Sequence, residues 1–317
     1  MKTLFRLLSL LFFSATVFAQ QYPARPVRMV VPFPAGGPAD LVARLLSTRL
    51  AELWGQSLVI ENRGGAGGNI GTAAVARAAP DGYTILLTTS GLMSNPSLYK
   101  DTGFDPLRDF APITLAGVSA TVVVRHPAWS NVNTMRDLEN LARTTKVDFA
   151  TPGIGLAGHL AGELFKTLAK VDMQPIPFAG AAPAMTALLS GQVPLGFMAI
   201  PAAVPHIKAG RMVAIAVTSP HRLALLPEVP TVAESGYPGF QVDNMYGILA
   251  PAGTPPEVVR KLNADIVKVL QLPEVRKSLE AATVEIVGNT PEEFARYIAA
   301  EHAKWAQVVR ASGARVE

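Results

Sequence analysis

The stretch Val31-Pro32-Phe33-Pro34-Ala35-Gly36-Gly37-Pro38-Ala39-Asp40 decides how this chain is read. It joins an apolar run at residues 27–33, read as a strand, to a helix. In that helix Val42, Leu46, Leu50 and Leu53 repeat at helical spacing until Gly55 supplies a stop. Gly36 and Gly37 permit a tight turn and keep side chains out of the way. The helix start leaves its first N–H groups unpaired and concentrates partial positive charge there. Such a terminus binds a carboxylate or phosphate without any cationic side chain. Asp40 is read as an N-cap or first-turn acid, a structural role in preference to ligand contact. Many α/β proteins carry one such turn, so the reading gains weight only if the motif recurs.

It recurs in Thr151-Pro152-Gly153-Ile154-Gly155-Leu156-Ala157-Gly158-His159, between a strand at 149–151 and a helix carrying Leu160, Leu164 and Leu168. Two such loops in different lobes can face each other across a cleft and supply N–H groups to one anion from both sides. Hydrogen bonds to a charged group contribute roughly 1.5–3 kcal/mol each. A micromolar site needs about 8 kcal/mol, so a handful of backbone donors plus apolar contact suffices. A third glycine-rich turn, Asn62-Arg63-Gly64-Gly65-Ala66-Gly67-Gly68-Asn69-Ile70-Gly71, has neither G-x-G-x-x-G spacing nor a following Gly-Lys-Ser/Thr. Nucleotide binding is set aside, and the turn is read as another exposed helix start on the cleft edge.

Working outward, short apolar runs at 58–61, 84–88, 121–125, 173–177, 195–198 and 213–217 alternate with helical patterns near 69–78, 184–189 and 203–209. That alternation indicates an α/β fold with mostly parallel strands. Thr134 with Asp137, Thr254-Pro255-Pro256-Glu257 and Thr290-Pro291-Glu292-Glu293 are read as capping boxes. The stripes Val259, Leu262, Ile266, Val269 and Phe294, Ile298, Trp305, Val309 are core-packing signals, and Trp54 and Trp129 are read as packing residues too. Two α/β sets plus a helical tail suggest two lobes. The first is discontinuous, residues 20–123 plus 245–317, with the tail returning to it; the second is residues 124–244. The crossings are expected near 122–126 and 241–246.

Residues 1–19 read as a signal peptide. Lys2 and Arg6 precede an apolar run at 7–18, and Val17-Phe18-Ala19 places small residues where a signal peptidase reads them, with cleavage after Ala19. The run is shorter than the ~20 residues a membrane span needs. The expectation is an exported, soluble periplasmic protein. The chain of 317 residues has no cysteine, which excludes disulfides, thiolate zinc sites and a cysteine nucleophile. Net charge is only +4 and no Lys/Arg cluster stands out, so nucleic acid is not an expected partner.

Catalytic patterns are missing: there is no G-x-S-x-G and no H-E-x-x-H. His159 and Glu163 share a helix face, and a local hydrogen bond is favoured over a metal pair. His126, His206, His221 and His302 lack ligand spacing. No catalytic residue, metal or cofactor is expected.

These segments, with Pro80-Asp81-Gly82-Tyr83-Thr84, His159-Leu160-Ala161-Gly162-Glu163-Leu164-Phe165 and Leu226-Pro227-Glu228-Val229-Pro230-Thr231-Val232-Ala233-Glu234-Ser235-Gly236, carry a resemblance. Over essentially the whole mature chain the sequence resembles the Bug, or tripartite tricarboxylate transporter, extracytoplasmic solute receptors. The resemblance implies a two-lobe, Venus-flytrap periplasmic binding protein fold of the type II-like class that closes on a small carboxylate. By position, the implied ligand contacts are Phe33, Pro34, Ala35, Gly36, Gly37, Pro38 and Ala39 in the first lobe. In the second they are Thr151, Pro152, Gly153, Ile154, Gly155 and Ala157, with Asn69, Thr89, Ser90, Gly180 and Ala181 lining the rest. Implied partners are the membrane permease subunits of a tripartite tricarboxylate transporter or, alternatively, a sensor kinase, and the receptor is expected to be a monomer. An exported enzyme acting on a carboxylate is the third reading.

The chain departs from the family pattern in places. A Tyr-Lys pair is frequent where Phe178-Ala179 stands, acids where Ala187 and Ala199 stand, and Thr or Ser where Ala39 stands. The cleft is therefore expected to be unusually apolar, favouring an acid without an ammonium group.

Overall fold

The computed structural model describes residues 22–315, so the expected signal peptide lies outside the described residues. The elements are β1 (Val27–Val31), α1 (Pro38–Trp54), β2 (Leu58–Asn62), α2 (Asn69–Ala76), β3 (Thr84–Thr88), α3 (Gly91–Leu98), β4 (Phe110–Arg125), α4 (Met135–Ala142) and β5 (Val147–Thr151). They continue with α5 (Ala157–Ala169), β6 (Met173–Pro177), α6 (Ala181–Leu189), β7 (Leu195–Ala199), α7 (Ile200–Lys208), β8 (Val213–Val217) and β9 (Asp243–Pro251). The tail holds α8 (Pro256–Leu270), α9 (Pro273–Ala281), β10 (Glu285–Ile286) and α10 (Pro291–Ser312).

One curled sheet runs β2-β1-β3-β9-β4-β7-β5-β6, with β8 and β10 also pairing to β4. At its two outer ends the strands are parallel, β1 with β2 and β3, and β5 with β6 and β7. These parallel triplets are the centres of the two lobes. Between them, β4 and β9 pair antiparallel. β4 runs along β9 from Phe110 to Ala120, then along β7 from Thr121 to Arg125, so one strand passes from lobe to lobe. The expectation included only the last five residues of β4 and none of β9. The rest of β4 breaks the usual strand signals. Pro112 and Gly117 sit at register shifts in its pairing with β9, and bulges are where such residues are tolerated in a sheet.

Local start and stop signals were mostly realised. Gly55 ends α1 at φ 63, with its N–H bonded to the Ala51 carbonyl. The Thr134/Asp137 and Thr290/Glu293 boxes both form. The third does not. Pro255 is the N-cap of α8, and the Thr254 hydroxyl instead donates to the Pro251 carbonyl at 2.8 Å. With Pro255 as N-cap, no hydroxyl caps the helix and Glu257 falls at the second helical position instead of the third, so the box does not form.

Each lobe has apolar packing on its helices, and a third cluster joins them. It combines Val30 and Leu86 of the first lobe, Phe149, Phe165 and Phe197 of the second, and Phe294, Ile298 and Trp305 of the tail helix. α10 packs against both α3 and α5. The tail thus spans both lobes, whereas the sequence reading returned it to the first alone. Its stripe Phe294, Ile298, Trp305 and Val309 is buried as expected. Trp54 and Trp305 pack with their indole N–H groups donating to Asp265 and Glu301, and Trp129 is partly buried against the central core.

Candidate functional site

The first loop leaves β1 at Val31 and enters α1 at Pro38. Gly36 has φ +82, a conformation that disfavours side chains. Asp40 organises the turn. Its Oδ2 accepts from the Gly36 N–H at 2.9 Å and from Arg44 Nε at 2.8 Å, and its Oδ1 accepts from Asn62 Nδ2 at 3.0 Å. Asn62 Nδ2 also donates to the Phe33 carbonyl. Burial alone would raise the carboxyl's pKa, but the bonds from Arg44, Gly36 and Asn62 outweigh it and hold it below the usual carboxylate range. Asp40 is thus the first-turn scaffold acid, with both oxygens occupied. The first intrahelical bond runs from the Leu41 N–H to the Gly37 carbonyl at 3.0 Å. The amides of Ala39 and Asp40 precede it and are helix-terminal donors.

The second loop leaves β5 at Thr151 and enters α5 at Ala157, with Gly153 at φ +157 and Gly155 at φ +79. The Leu160 N–H bonds to the Leu156 carbonyl at 3.0 Å, leaving the amides of Ala157, Gly158 and His159 ahead of it as terminal donors. The Gly155 N–H is taken by His159 Nδ1 at 3.3 Å. The Gly180 N–H is taken by the Pro152 carbonyl at 3.0 Å, so Gly180 braces this loop from β6. Ala181 opens α6 beside it.

Asn69 opens α2, and Thr89 and Ser90 precede α3; all three are more than nine-tenths buried. Asn69 Nδ2 and Thr89 Oγ1 have no protein partner. Buried polar groups left unpaired are costly, and Asn95 Oδ1 beside Asn69 is unpaired as well. The Ser90 hydroxyl is committed elsewhere: it donates to the Asp243 carbonyl at 2.9 Å and accepts from the Met245 N–H at 3.3 Å. Asn95 was not singled out in the sequence. Its Nδ2 donates to Asn69 Oδ1 at 2.7 Å and to the Gly67 carbonyl at 3.1 Å. A lone Asn before Pro96 signals a turn, and its partners lie 26 and 28 residues away.

The third glycine turn acts differently from the expectation. A Cβ at Gly64 would meet Pro34, one at Gly68 the Phe33 ring at 3.3 Å, and one at Gly71 the Arg63 carbonyl and Pro32. Its glycines let this turn pack tightly beneath the first loop, so it supports that loop more than it presents a free helix start. Ala187 also changes place. It is 2% exposed and packed in the core of the second lobe. Ala179, exposed, and Ala199, partly exposed at the start of α7, remain at the loop ends.

His159 and Glu163 share a face of α5 as expected, but they are not hydrogen-bonded to each other. His159 Nε2 and Glu163 Oε1 are 3.9 Å apart, and Lys166 neutralises Glu163 at 3.1 Å. Among the described residues no group of three or more His, Asp or Glu is arranged to hold a metal. Burial, with a smaller contribution from Lys166, pulls the His159 imidazole down from 6.5 to about 4. The folded protein therefore refuses a proton that the unfolded chain accepts. Stability is expected to fall as pH drops from 6.5 to about 4 and then level off, by about 3 kcal/mol in total. Urea midpoints at pH 7, 5 and 4 check this, and His159→Asn should lose this part of the acid dependence.

The lobes meet at the loops: the Ser94 hydroxyl of α3 donates to the Gly155 carbonyl at 3.1 Å. A cavity of about 90 Å³ lies instead at the sheet edge where β8 and β10 flank β4, lined by Ser119, His221, Asp243, Thr283 and Glu285 among others. None of its lining residues belongs to either glycine loop, so this cavity does not mark the candidate site.

Similarities to known proteins bear on this arrangement. The sequence model of the family described as "Tripartite tricarboxylate transporter family receptor" matches residues 42–314. Among solved structures, the chain is similar to an R. palustris protein with adipate, at 35% identity and TM-score 0.83, covering 93% of this chain and all of that one. It is similar to the periplasmic binding protein BugD, at 38% identity and TM-score 0.80, with the same coverage. It is similar to MatC from Rhodopseudomonas palustris with bound malate, at 33% identity and TM-score 0.81, covering 91% of this chain and all of that one.

Proposed function

The chain belongs to the tripartite tricarboxylate transporter receptor family, and from that premise we propose that it captures a small carboxylate without an ammonium group between its two lobes, in the periplasm. The family consists of solute-binding receptors, so this protein is a binding receptor and not an enzyme. The ligands of two similar structures, adipate and malate, are both dicarboxylates.

The observation that carries the proposal is the pairing of two strand–glycine–helix loops, one per lobe, with helix-terminal amides and two unpartnered buried groups, Asn69 Nδ2 and Thr89 Oγ1. All of these can donate to an anion. The neighbouring acids are already engaged: Asp40 by Gly36, Arg44 and Asn62, and Glu163 by Lys166. Neither is free to balance an ammonium group, which favours an acid with an uncharged or second acidic end.

The lobes are assigned to residues 20–123 plus 245–317 and to 124–244, with the hinge on β4 and β9 and the tail helix bridging behind it. An open form binds the anion on one lobe, and closure adds the donors of the other. The closed form is then what a partner recognises, and membrane permease subunits of the transporter are the partner proposed here. A thermal-shift screen of the protein from Gln20 onward tests the ligand class. Mono- and dicarboxylates are expected to raise the melting temperature and amino acids to leave it unchanged. Stabilisation by amino acids alone would overturn the proposal.

A further inference from the structure

Gly155 is held through its N–H and its carbonyl by side chains from different lobes. Its N–H donates to His159 Nδ1 at 3.3 Å within the second lobe, and its carbonyl accepts from the Ser94 hydroxyl of the first lobe at 3.1 Å. We propose that Ser94, Gly155 and His159 form a latch that favours lobe closure, with His159 as the positioning residue that anchors Gly155 where its carbonyl meets Ser94.

Several features of the site fit that role. His159 is 2% exposed and Ser94 is fully buried, so the bonds are made away from competing water. The N–H lies in the peptide unit shared with Ile154 and the carbonyl in the one shared with Leu156, so the two bonds restrain Gly155 from both sides of its Cα. Gly155 stands at φ +79, and a side chain there would run into Asn95 of the first lobe. Only glycine allows α3 to come this close. His159 accepts at Nδ1, which requires the neutral ring with its proton on Nε2. Nε2 faces Glu163 at 3.9 Å, and Glu163 is anchored by Lys166. That arrangement favours the Nε2–H tautomer and so keeps Nδ1 free to accept. The Ser94 backbone belongs to the helix that starts at Gly91, directly after Thr89 and Ser90. The latch therefore links the helix following one set of candidate ligand groups to the loop that carries the other.

The proposal rests on the two-lobe reading but not on the ligand, so it is tested without one. The chain has no native cysteine, and labels can be placed on cysteines introduced at Thr48 of α1 and Lys208 of α7, both exposed. Single-molecule energy transfer then reports the closed fraction. Ser94→Ala and His159→Leu are each expected to lower the ratio of closed to open molecules about five-fold, the effect of one net hydrogen bond. Together they should lower it by less than the two single losses combined, because both bonds hold the same residue. His159→Asn, whose side-chain oxygen can accept in place of Nδ1, should restore the closed fraction. Nitrogen NMR of His159 at pH 7 should show an unprotonated Nδ1. An unchanged closed fraction in Ser94→Ala, additive losses in the double variant, or a protonated Nδ1 would each overturn the latch. If His159→Leu does not fold, the isosteric Ser94→Ala and the imidazole signal still decide the matter. Carboxylate binding could fail in the screen while these results hold, and the reverse is equally possible.

Discussion

A receptor carrying Gly37→Val is expected to fold as its parent does and to bind its carboxylate about 100-fold or more weakly, the loss of one or two charge-assisted hydrogen bonds. Gly37 is the N-cap of α1 at φ −79 and ψ 170, an extended conformation open to any residue. A Cβ there would meet only the Pro34 carbonyl, at 3.5 Å. The fold should therefore tolerate the substitution within about 1 kcal/mol, the range of N-cap exchanges. Binding should not tolerate it, because a branched side chain would crowd the helix mouth where the Ala39 and Asp40 amides lie. The matching change in the other lobe, Gly153→Val, should also abolish binding. Its backbone at φ +157 is harder for valine to adopt, so some stability loss is expected there and Gly37 is the cleaner probe. Calorimetric titration with the acid that most raises the melting temperature, alongside thermal melts, separates the two effects. Unchanged affinity in Gly37→Val would remove the first loop from the site.

The second large effect is on stability. Gly158→Val should cost about 3 kcal/mol or more, the upper end of overpacking. Gly158 lies in the first turn of α5, where a Cβ would collide with the Phe197 backbone carbonyl on β7 and come within 3.2 Å of Pro152. A backbone carbonyl in a central strand cannot move aside. One turn later a Cβ at Gly162 would enter the Phe149 ring, and Phe149 stacks edge-on against Phe197 at 5.3 Å. Positions i and i+4 share a helix face, so the two glycines form the flat side on which α5 lies against the sheet. This close approach also sets where α5 points its N-terminus. Urea denaturation of Gly158→Val against the parent checks it, and a midpoint shift below that of an open-space control such as Gly210→Ala would contradict it. Gly210 stands at φ +69 with nothing within 4 Å of its Cβ position.

Much of this arrangement could be read locally. The strand–glycine–helix turns announce themselves because Gly, Pro and the first apolar helix positions fall within a dozen residues. The Thr134 and Thr290 caps are equally local. β4 and β9 were hidden because their central residues are apolar without alternation, as expected of strands buried on both faces, and because Pro112 and Gly117 break the pattern at bulges. α3 was hidden for a similar reason: Gly91 and Pro96 read as loop, and only burial against α10 makes it a helix. The resemblance put Ala187 at the cleft, and a short apolar helix does not reveal which of its faces meets the core, where Ala187 is packed. The Ser94–Gly155 contact joins residues 61 apart, a distance no motif spans.

The account's central claim is that one carboxylate is held by amides from both lobes. The most direct test follows the backbone amide signals of Ala39, Asp40, Gly153 and Ala157 by NMR while the protein is titrated with adipate and then with malate. For at least one of these acids, signals from both loops are predicted to shift along a single saturating curve with a common dissociation constant. Shifts confined to one loop, or silence with both acids while glutamate or aspartate saturates the same signals, would contradict it.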